Sequence, residues 1–393
     1  MDFAKRVGDL QETIRQRRLA GAVLFYSRDV YYYTGTAQPA YLVVRPDDYV
    51  LFVLRGHDFA RRESGLAAER IVAEGNLKTI GARMFPGRGA GEKVGTELDM
   101  LAVTQFRALG RALGDRELVD ISPDVLARRS IKCAEEIGRI RKACDAVHAG
   151  HLALVSCLRP GMSELELAAR VENAHRLAGH DGMFFMRMPD FVMGRGPLAS
   201  GPNLRRTSGA VYTITGTGLS AAVPAGASRR IMAAGDLVVV DIPTCVEGYH
   251  ADQSRTYAIG RASPRDLELF GRLREVSDHV LDHLTPGLPA GDVYSRALGR
   301  ATALGLEASF LAFESQPAAR FVGHGVGLEL NEPPFLVRDG TETLQAGMVV
   351  TLELHVMEPD RLPLKLGDTV HLTPAGVEIL TRSPRELTVV TPG

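Results

Sequence analysis

Two short apolar segments that lie far apart constrain the fold of this 393-residue chain most strongly. Residues 235–241 read Gly-Asp-Leu-Val-Val-Val-Asp, and residues 347–353 read Gly-Met-Val-Val-Thr-Leu-Glu, so each has the pattern of a buried strand that ends on an acid. Before each segment, a Pro-Gly pair opens a helical pattern that ends at a glycine 19 residues after the proline, over 160–179 and over 286–305. Because the same order occurs twice, we expect a duplicated helix-plus-hairpin unit whose copies face a shared site.

The part of the chain before residue 122 alternates between helical periodicity and short apolar runs. Between two of these runs, the Pro-Asp-Asp at 46–48 indicates the turn of a hairpin. Strands that alternate with helices are typical of an α/β layer domain. The pattern over 124–158 is helical and is interrupted only by Gly138, so we expect one long helix there.

Two acids on the first copy are candidates for cation binding. A carboxylate at the end of an apolar strand needs a partner, because a buried charge must be paired or bind a metal. Asp241 is such a residue, and Asp252 follows it beyond a predicted turn at 243–248, so a hairpin would bring the two acids together. Adjacent carboxylates repel unless a proton or a cation lies between them, and hard cations with oxygen ligands are the usual solution.

A histidine and a third acid complete the candidate donor set. His324 lies in the glycine-rich segment Gly-His-Gly-Val-Gly at 323–327, where glycines allow close approach of the backbone. Glu353 ends the second apolar strand. Together with the two aspartates, these residues form an oxygen-rich set with one nitrogen, which suits Mn, Fe, Co or Zn.

These segments resemble, in order, the motifs of the pita-bread metallopeptidase family, in its creatinase, prolidase and aminopeptidase P branch. The resembling motifs are Val-Val-Val-Asp241, Gly-Tyr-His-Ala-Asp252-Gln-Ser-Arg-Thr, Gly-His324-Gly-Val-Gly, Gly-Met-Val-Val-Thr-Leu-Glu353, Gly-Asp368-Thr-Val, Tyr-Tyr-Tyr-Thr-Gly at 31–35, and Ile131-Lys132. The resemblance implies an N-terminal α/β domain like that of creatinase at 1–122, a linking helix at 123–159 and an α+β pita-bread domain at 160–393. It also implies a homodimer.

The resemblance implies a role for each residue of the donor set, and this chain departs from the family's pattern at two functional positions. It implies a dinuclear centre in which Asp241 holds one metal, Asp252 bridges, and His324 and Glu353 hold the other metal. The family's second bridging glutamate falls at Gly367 of this chain. The histidine that the family's peptidases carry near the scissile bond falls at Ala225, directly after Val-Pro at 223–224.

The lost bridge makes the two metal positions unequal. Asp252, His324 and Glu353 remain as a three-ligand set with open positions, as in many mononuclear catalytic sites. Asp241 and Asp252 alone are an underligated pair. We therefore expect one divalent ion at most, with a metal-free site as the alternative.

Other residues are candidates for substrate binding. His250, His355 and His371 lie on three ligand-bearing strands, two or four residues from Asp252, Glu353 and Gly367, and such positions share a strand face. The alternative is that they are ordinary face residues bonded to backbone or water. Arg195 lies in a segment rich in glycine and proline at 193–203, which we interpret either as a loop over the cavity with an anion contact or as a plain surface loop.

Three functions are compatible with these residues. The first is a hydrolase of a C–N bond in a dipeptide, of the Xaa-Pro type, or in a small amide; a divalent ion activates a water, with Glu353 as proton acceptor and His324 beside it. The second is a catalytically silent protein that binds a small ligand, with Asp241 and Asp252 held by protonation or by Arg255. The third is a metal-independent enzyme of the creatinase type that uses cavity histidines.

Composition excludes several other classes of protein. With 46 basic and 47 acidic side chains, the chain has no uniform basic field, so we expect no nucleic-acid partner. No apolar run is long enough to span a membrane. The four cysteines show no CxxC spacing and the first residues are charged, which together predict a cytoplasmic thiol protein.

Overall fold

The structure is a computed structural model that describes residues 1–87, 89–188, 196–208 and 213–391. The chain divides into two compact units, residues 1–129 and residues 130–393. In the part of the chain that the structure describes, no helix has both the length and the apolar character needed to cross a membrane.

The first unit is the α/β layer that the alternating pattern predicts. Its strands form one six-stranded mixed sheet in the order β4-β3-β2-β1-β5-β6, and Phe52, Val23 and Val94 are among the residues of its core. The hairpin at 46–48 is confirmed, because β2 and β3 pair as antiparallel neighbours. The elements are α1 (Phe3–Gln16), β1 (Gly21–Leu24), α2 (Ser27–Thr34), β2 (Ala40–Val44), β3 (Tyr49–Val53), α3 (His57–Glu63), β4 (Ile71–Ala73), α4 (Leu77–Met84), β5 (Lys93–Thr96), α5 (Val103–Ala112), β6 (Glu117–Asp120) and α6 (Ser122–Ser130).

The prediction of one long helix over 124–158 is wrong. The segment contains the end of α6 and a separate helix, α7 (Ala134–Cys157). Between them, Ile131 forms an isolated bridge with Met348, and the N–H of Lys132 donates to the carbonyl of Gly347. Backbone contacts with the residues just before β14 therefore override a helical pattern whose one interruption, Gly138, lies inside α7. The division of the chain at residues 122 and 159 stays a prediction, since compactness does not establish which part folds independently.

The second unit contains two antiparallel-rich sheets and a hairpin, with helices packed on them. One sheet has the order β17-β11-β8-β7, the other has the order β13-β12-β14-β15-β16, and β9 and β10 form the hairpin. The remaining elements are α8 (Glu164–Leu177), β7 (Leu198–Ser200), β8 (Leu237–Val240), β9 (Thr244–Val246), β10 (Tyr249–Ala251), β11 (Arg255–Ile259), α9 (Pro264–Asp282), α10 (Ala290–Ala303), β12 (Phe321–Gly325), β13 (Glu332–Val337), β14 (Val349–Val356), β15 (Leu364–Thr373), β16 (Gly376–Ile379) and β17 (Thr388–Val390).

The predicted duplication is visible in the helices and in the glycines that flank them. Helices α8 and α10 are both 14 residues long, and the second copy starts 126 residues after the first, at 290 against 164. Gly161 and Gly287, which precede the two helices, adopt φ values of +87° and +94°. Gly235 and Gly347, which precede β8 and β14, adopt +87° and +91°. Left-handed backbone at matched positions favours glycine, and the match explains why the glycine spacing repeats in the sequence.

The two sheets meet at the centre of this unit. Ser254 and Gly367 form an antiparallel bridge, and the hydroxyl of Thr256 donates to the carbonyl of Lys365 and accepts from its N–H. Beside this junction the buried Arg255 guanidinium lies 2.6 Å from Asp368. The junction holds Asp241 after β8, Asp252 after β10 and Glu353 on β14 close together. The prediction that Glu353 ends its strand is wrong, because β14 continues to Val356 through its pairing with β15.

Candidate metal centre

The first copy delivers two aspartates to the junction of the sheets. Asp241 directly follows β8, and Asp252 lies between β10 and β11, so both are at the ends of short strands. Both residues are buried. The hydroxyl of Thr369 braces Asp252, because it accepts from the Asp252 N–H at 3.0 Å and donates to the Asp252 carbonyl at 2.7 Å. The backbone of Asp252 is thus held in place by a side chain of β15.

The second copy delivers His324 and Glu353. His324 is on β12, which pairs with β14, the strand that carries Glu353. The ring Nδ1 of His324 lies 3.0 Å from the carbonyl of Gly325, so we assign the ring proton to Nδ1. The lone pair of Nε2 then faces Asp252 at 3.8 Å and Glu353 at 4.0 Å. This tautomer is the one that a metal-binding imidazole needs.

Asp252, His324 and Glu353 fit a single metal ion. One donor atom from each of the three lies within 4.8 Å of the other two, and all three residues are buried. Donor atoms bound at about 2.1 Å around a tetrahedral ion lie about 3.4 Å apart. The distances from Nε2, 3.8 and 4.0 Å, are too long for hydrogen bonds and only slightly longer than that spacing. The three groups therefore leave a gap of ionic size between them.

Asp241 lies next to a lysine instead. The Nζ of Lys365 donates to Asp241 Oδ2 at 2.5 Å, to Thr213 Oγ1 at 2.5 Å and to Glu353 Oε1 at 3.0 Å. The lysine is on β15 and only 1% of its side chain is exposed. Its ammonium bridges Asp241 and Glu353, which the resemblance expects to hold metal ions.

Glu353 faces both halves of the centre. Its Oε1 accepts from Lys365, whereas its Oε2 lies 4.0 Å from His324 Nε2. The hydroxyl of Ser254 lies 2.5 Å from Asp241 Oδ1 and 3.5 Å from Glu353 Oε1. The four predicted donors thus converge, but Asp241 is joined to the others through a lysine and a serine.

Sequence reasoning missed Lys365 and Ser254. The available signal was a lysine in the apolar run Leu-Lys-Leu at 364–366, two residues before Gly367 and therefore on the same strand face. A lysine buried in such a strand requires anionic partners. The alternation predicts the face, but only the tertiary structure shows which acids lie opposite.

Gly367 is a point of close approach between the two sheets. A Cβ atom at this position would lie 2.9 Å from the Ser254 hydroxyl and 3.1 Å from the Ser254 nitrogen. Gly367 also pairs directly with Glu353 across the two strands. At the position where the resemblance implies a bridging glutamate, this chain therefore has a glycine, and the side chain of Ser254 lies directly against the backbone of that glycine.

Burial and charge shift the carboxyl groups in opposite directions. Burial, together with the charges of Glu353 and Asp241, raises the pKa of Asp252 well above its ordinary value. Burial also acts to raise the pKa of Glu353, but the positive charge of Lys365 and its hydrogen bond to Glu353 oppose burial, and this pKa is lowered. Glu353 is therefore the carboxylate that stays ionised, as a proton acceptor must be.

The histidines proposed for substrate binding have different surroundings. The Nε2 of His250 accepts from the N–H of Phe185 and its Nδ1 lies 2.9 Å from the carbonyl of Gly327, so both ring nitrogens contact backbone. His355 pairs across the sheet with Lys365, and its Nε2 lies 3.1 Å from the carbonyl of Ala312. Burial lowers the pKa of His355 to about 4 and Lys365 adds to the shift. His355 thus lies beside the centre as a neutral ring.

His371 lies away from the donors. His371 is on β15 but six residues beyond Lys365, or about 20 Å along an extended strand. Its Nδ1 lies 3.6 Å from Glu378 on β16. Arg195 is outside the described residues. The substrate-binding roles of all four residues stay predictions.

The fold and the donor set together define a metallopeptidase-like hydrolase. The profile of metallopeptidase family M24 matches residues 138–374, and that of the creatinase/prolidase N-terminal domain matches residues 6–131. The chain belongs to metallopeptidase family M24, as the motifs of the sequence predicted.

Individual relatives agree with this assignment. The chain is 25% identical over 386 residues to the uncharacterized peptidase YqhT of Bacillus subtilis, covering 97% of this chain and 99% of that protein. It is 27% identical over 365 residues to the Xaa-Pro dipeptidase of Pyrococcus furiosus, covering 91% and 92%. The solved structure of the Xaa-Pro dipeptidase from Bacillus anthracis matches with a TM-score of 0.82 at 22% identity, over 99% of this chain and all of that one, and so supports the two-part fold.

Proposed function

We propose that this chain hydrolyses the C–N bond of an Xaa-Pro dipeptide, or of a closely similar small amide, with one divalent metal ion held by Asp252, His324 and Glu353. The observation that carries the proposal is the spacing of these buried donors, with His324 Nε2 at 3.8 and 4.0 Å from the two carboxylates. Relatives named as Xaa-Pro dipeptidases, over nine-tenths of both chains, supply the substrate class.

Each residue of the donor set has a distinct task in this proposal. A divalent ion bound there would polarise the carbonyl group and lower the pKa of a water molecule. Asp252 and His324 hold their donor atoms in place through the Thr369 hydroxyl and the Gly325 carbonyl. Glu353 accepts the proton, since its Oε2 faces the donor gap and its Oε1 is bonded to Lys365.

Two further assignments belong to the proposal. His355 is the histidine best situated to act near the donors, because it lies on the same strand as Glu353 and across from Lys365. Ala225 takes the position of the family's histidine near the scissile bond. Loss of one stabilising donor for the tetrahedral centre typically lowers kcat about 10²–10³-fold, so we expect slow turnover.

The test is a panel of Xaa-Pro dipeptides with matched Xaa-Ala dipeptides as the comparison. The protein is first stripped with a chelator and then supplied with Mn²⁺, Co²⁺ or Zn²⁺ separately. We expect metal-dependent release of proline from at least one dipeptide and a loss of about 10²–10⁴-fold in kcat in Glu353→Gln. Glu307→Gln makes the same change at an exposed position and should leave kcat unchanged. Absence of turnover with every dipeptide and every metal would remove the proposal.

A metal-independent enzyme acting on a small molecule is the second candidate. The observation that favours it is the ammonium of Lys365, a positive charge already present between Asp241 and Glu353. In that case chelator leaves the rate unchanged, whereas His324→Ala abolishes it. The two candidates therefore give opposite responses to the same chelator treatment.

We also propose that the chain is a cytoplasmic homodimer. The family resemblance supports the dimer, and the absence of CxxC spacing supports a reducing compartment. Light scattering on the purified protein tests the dimer, and a monomer mass at micromolar concentration would contradict it.

A further inference from the structure

We propose that the ammonium of Lys365 takes the place of one of the two cations in this centre, so that the centre holds no more than one divalent ion. The inference deepens the proposed function and rests on it for the identity of the remaining ion. It assigns to Lys365 a role as a permanent internal cation that sets the metal capacity of the site.

The contacts of Lys365 are those expected of an ion between carboxylates. Its Nζ lies 2.5 Å from Asp241 Oδ2 and 3.0 Å from Glu353 Oε1, and the side chain is almost completely buried. A metal ion bound to both carboxylates would lie about 2.0–2.2 Å from each oxygen, which is the space that the ammonium nitrogen fills. A metal ion and Nζ cannot occupy that space together.

Charge balance gives the same result. The resemblance implies four carboxylates for two divalent ions, which is electrically neutral. This chain keeps three carboxylates, Asp241, Asp252 and Glu353, and holds one ammonium against two of them, so a single divalent ion makes the set neutral. A second ion would leave two uncompensated positive charges in a buried site, which is strongly unfavourable.

The surroundings of Gly367 leave little room for the bridging glutamate that the resemblance implies. A Cβ atom there would lie 2.9 Å from the Ser254 hydroxyl, which is already bonded to Asp241 at 2.5 Å, so Ser254 would have to shift. Gly367, where the resemblance implies a glutamate, and Lys365 lie on the same face of β15, two residues apart. On this face the centre therefore lacks a negative metal ligand and holds a positive charge.

Lys365 is not placed to act as an acid or a nucleophile. An ammonium has three protons, and protein acceptors take all three: Thr213, Asp241 and Glu353. The role is therefore one of position and charge, since Lys365 contacts Glu353 through Oε1 and not through Oε2, the oxygen that faces the donor gap.

The test is the number of metal ions per chain, measured by elemental analysis after equilibrium dialysis against Mn²⁺. For the natural chain we expect saturation at about one ion per chain, located by anomalous scattering among Asp252, His324 and Glu353. Lys365→Met removes the charge and keeps the length of the side chain, and we expect its count to rise by about one. The new ion should lie at Asp241.

Two variants serve as controls. Lys142→Met makes the same change at an exposed lysine, with 58% of the side chain accessible, and should leave the count unchanged. Lys365→Arg keeps the positive charge and should also leave it unchanged. A count that does not rise in folded Lys365→Met contradicts the inference.

If Lys365→Met does not fold, the number of metal ions bound by the natural chain still tests the inference. A count of two ions overturns the inference, whereas a count of one or none supports the exclusion of the second ion. The outcome is independent of turnover: two ions with dipeptide hydrolysis would refute the inference and keep the proposed function. One ion without any hydrolysis would do the reverse.

Discussion

At the scale of single residues, the stability of the centre depends on charge compensation. Asp241, Asp252 and Glu353 are buried within one site, and like charges at such distances cannot all be ionised without a counter-charge. Lys365 supplies one positive charge from inside the fold. The centre thus combines the ammonium of Lys365, which is part of the chain, with a group of donors that could hold an exchangeable metal ion.

Removal of the internal cation should destabilise the metal-free protein. In Lys365→Met, Asp241 and Glu353 lose their shared partner, and an uncompensated buried charge lowers the free energy of unfolding by roughly 3–5 kcal/mol. Urea unfolding in the presence of a chelator measures this loss. Lys142→Met, whose ion pair with Glu247 is exposed, should lose less than about 1 kcal/mol. Equal losses of unfolding free energy in the two variants would show that the charge of Lys365 is no more important for stability than that of an exposed lysine.

The hydroxyl of Thr369 should control metal affinity without touching the metal. It bonds both backbone groups of Asp252, so Thr369→Val keeps the shape of the side chain but frees the aspartate. Loss of such an outer contact typically weakens metal binding about 10–100-fold. Calorimetric titration with Mn²⁺ measures the Kd. Thr373→Val removes a hydroxyl bond from the end of the same strand, to Gly376, and an equal change of Kd there would contradict the assignment.

At the scale of elements, the junction between β15 and the segment after β10 depends on one glycine. Gly367→Ala places a Cβ atom 2.9 Å from the Ser254 hydroxyl, which cannot move away without losing Asp241. We expect overpacking to lower the free energy of unfolding by roughly 1–3 kcal/mol. Thermal or urea unfolding measures it.

A glycine in a helix provides the matched comparison. Gly138 lies on the exposed side of α7, and a Cβ atom there meets nothing within 4 Å. Gly138→Ala should therefore stabilise the protein by about 0.4–1 kcal/mol, because alanine has less backbone freedom in the unfolded chain. If both variants changed stability with the same sign, the crowding at Gly367 would not be the cause.

At the scale of the whole molecule, stability should fall in mild acid. Burial lowers the pKa of His175, on α8, from 6.5 to about 4, and the nearby His180 adds to the shift. As the pH falls below 6.5, the unfolded chain takes up a proton that the folded chain refuses until about pH 4. The neutral buried ring therefore contributes stability at neutral pH that is lost over this window, up to about 3 kcal/mol.

The pH dependence of Tm tests this. His175→Gln should flatten the decline in Tm between pH 7 and pH 4, whereas His283→Gln, at an exposed ring, should not. A decline that persists unchanged in His175→Gln would assign the acid sensitivity to other groups.

The sequence by itself determined the order of the parts of this protein. The repeated spacing of glycines and apolar, acid-bearing segments predicted the duplication, because left-handed backbone and buried strands place strict demands on residue type. The motif order predicted the family and brought Asp252, His324 and Glu353 into one set. Residue types and local periodicity are sufficient for these conclusions.

Only the tertiary structure decided which residues of distant segments contact one another. The break between α6 and α7 follows from a bridge between Ile131 and Met348, and the two acidic partners of Lys365 lie directly after β8 and on β14. Period-two alternation assigns a side chain to a face, but the register between distant strands depends on packing of the whole unit. For that reason the sequence revealed a lost glutamate at Gly367, and the three-dimensional fold alone revealed the lysine that lies in the metal centre.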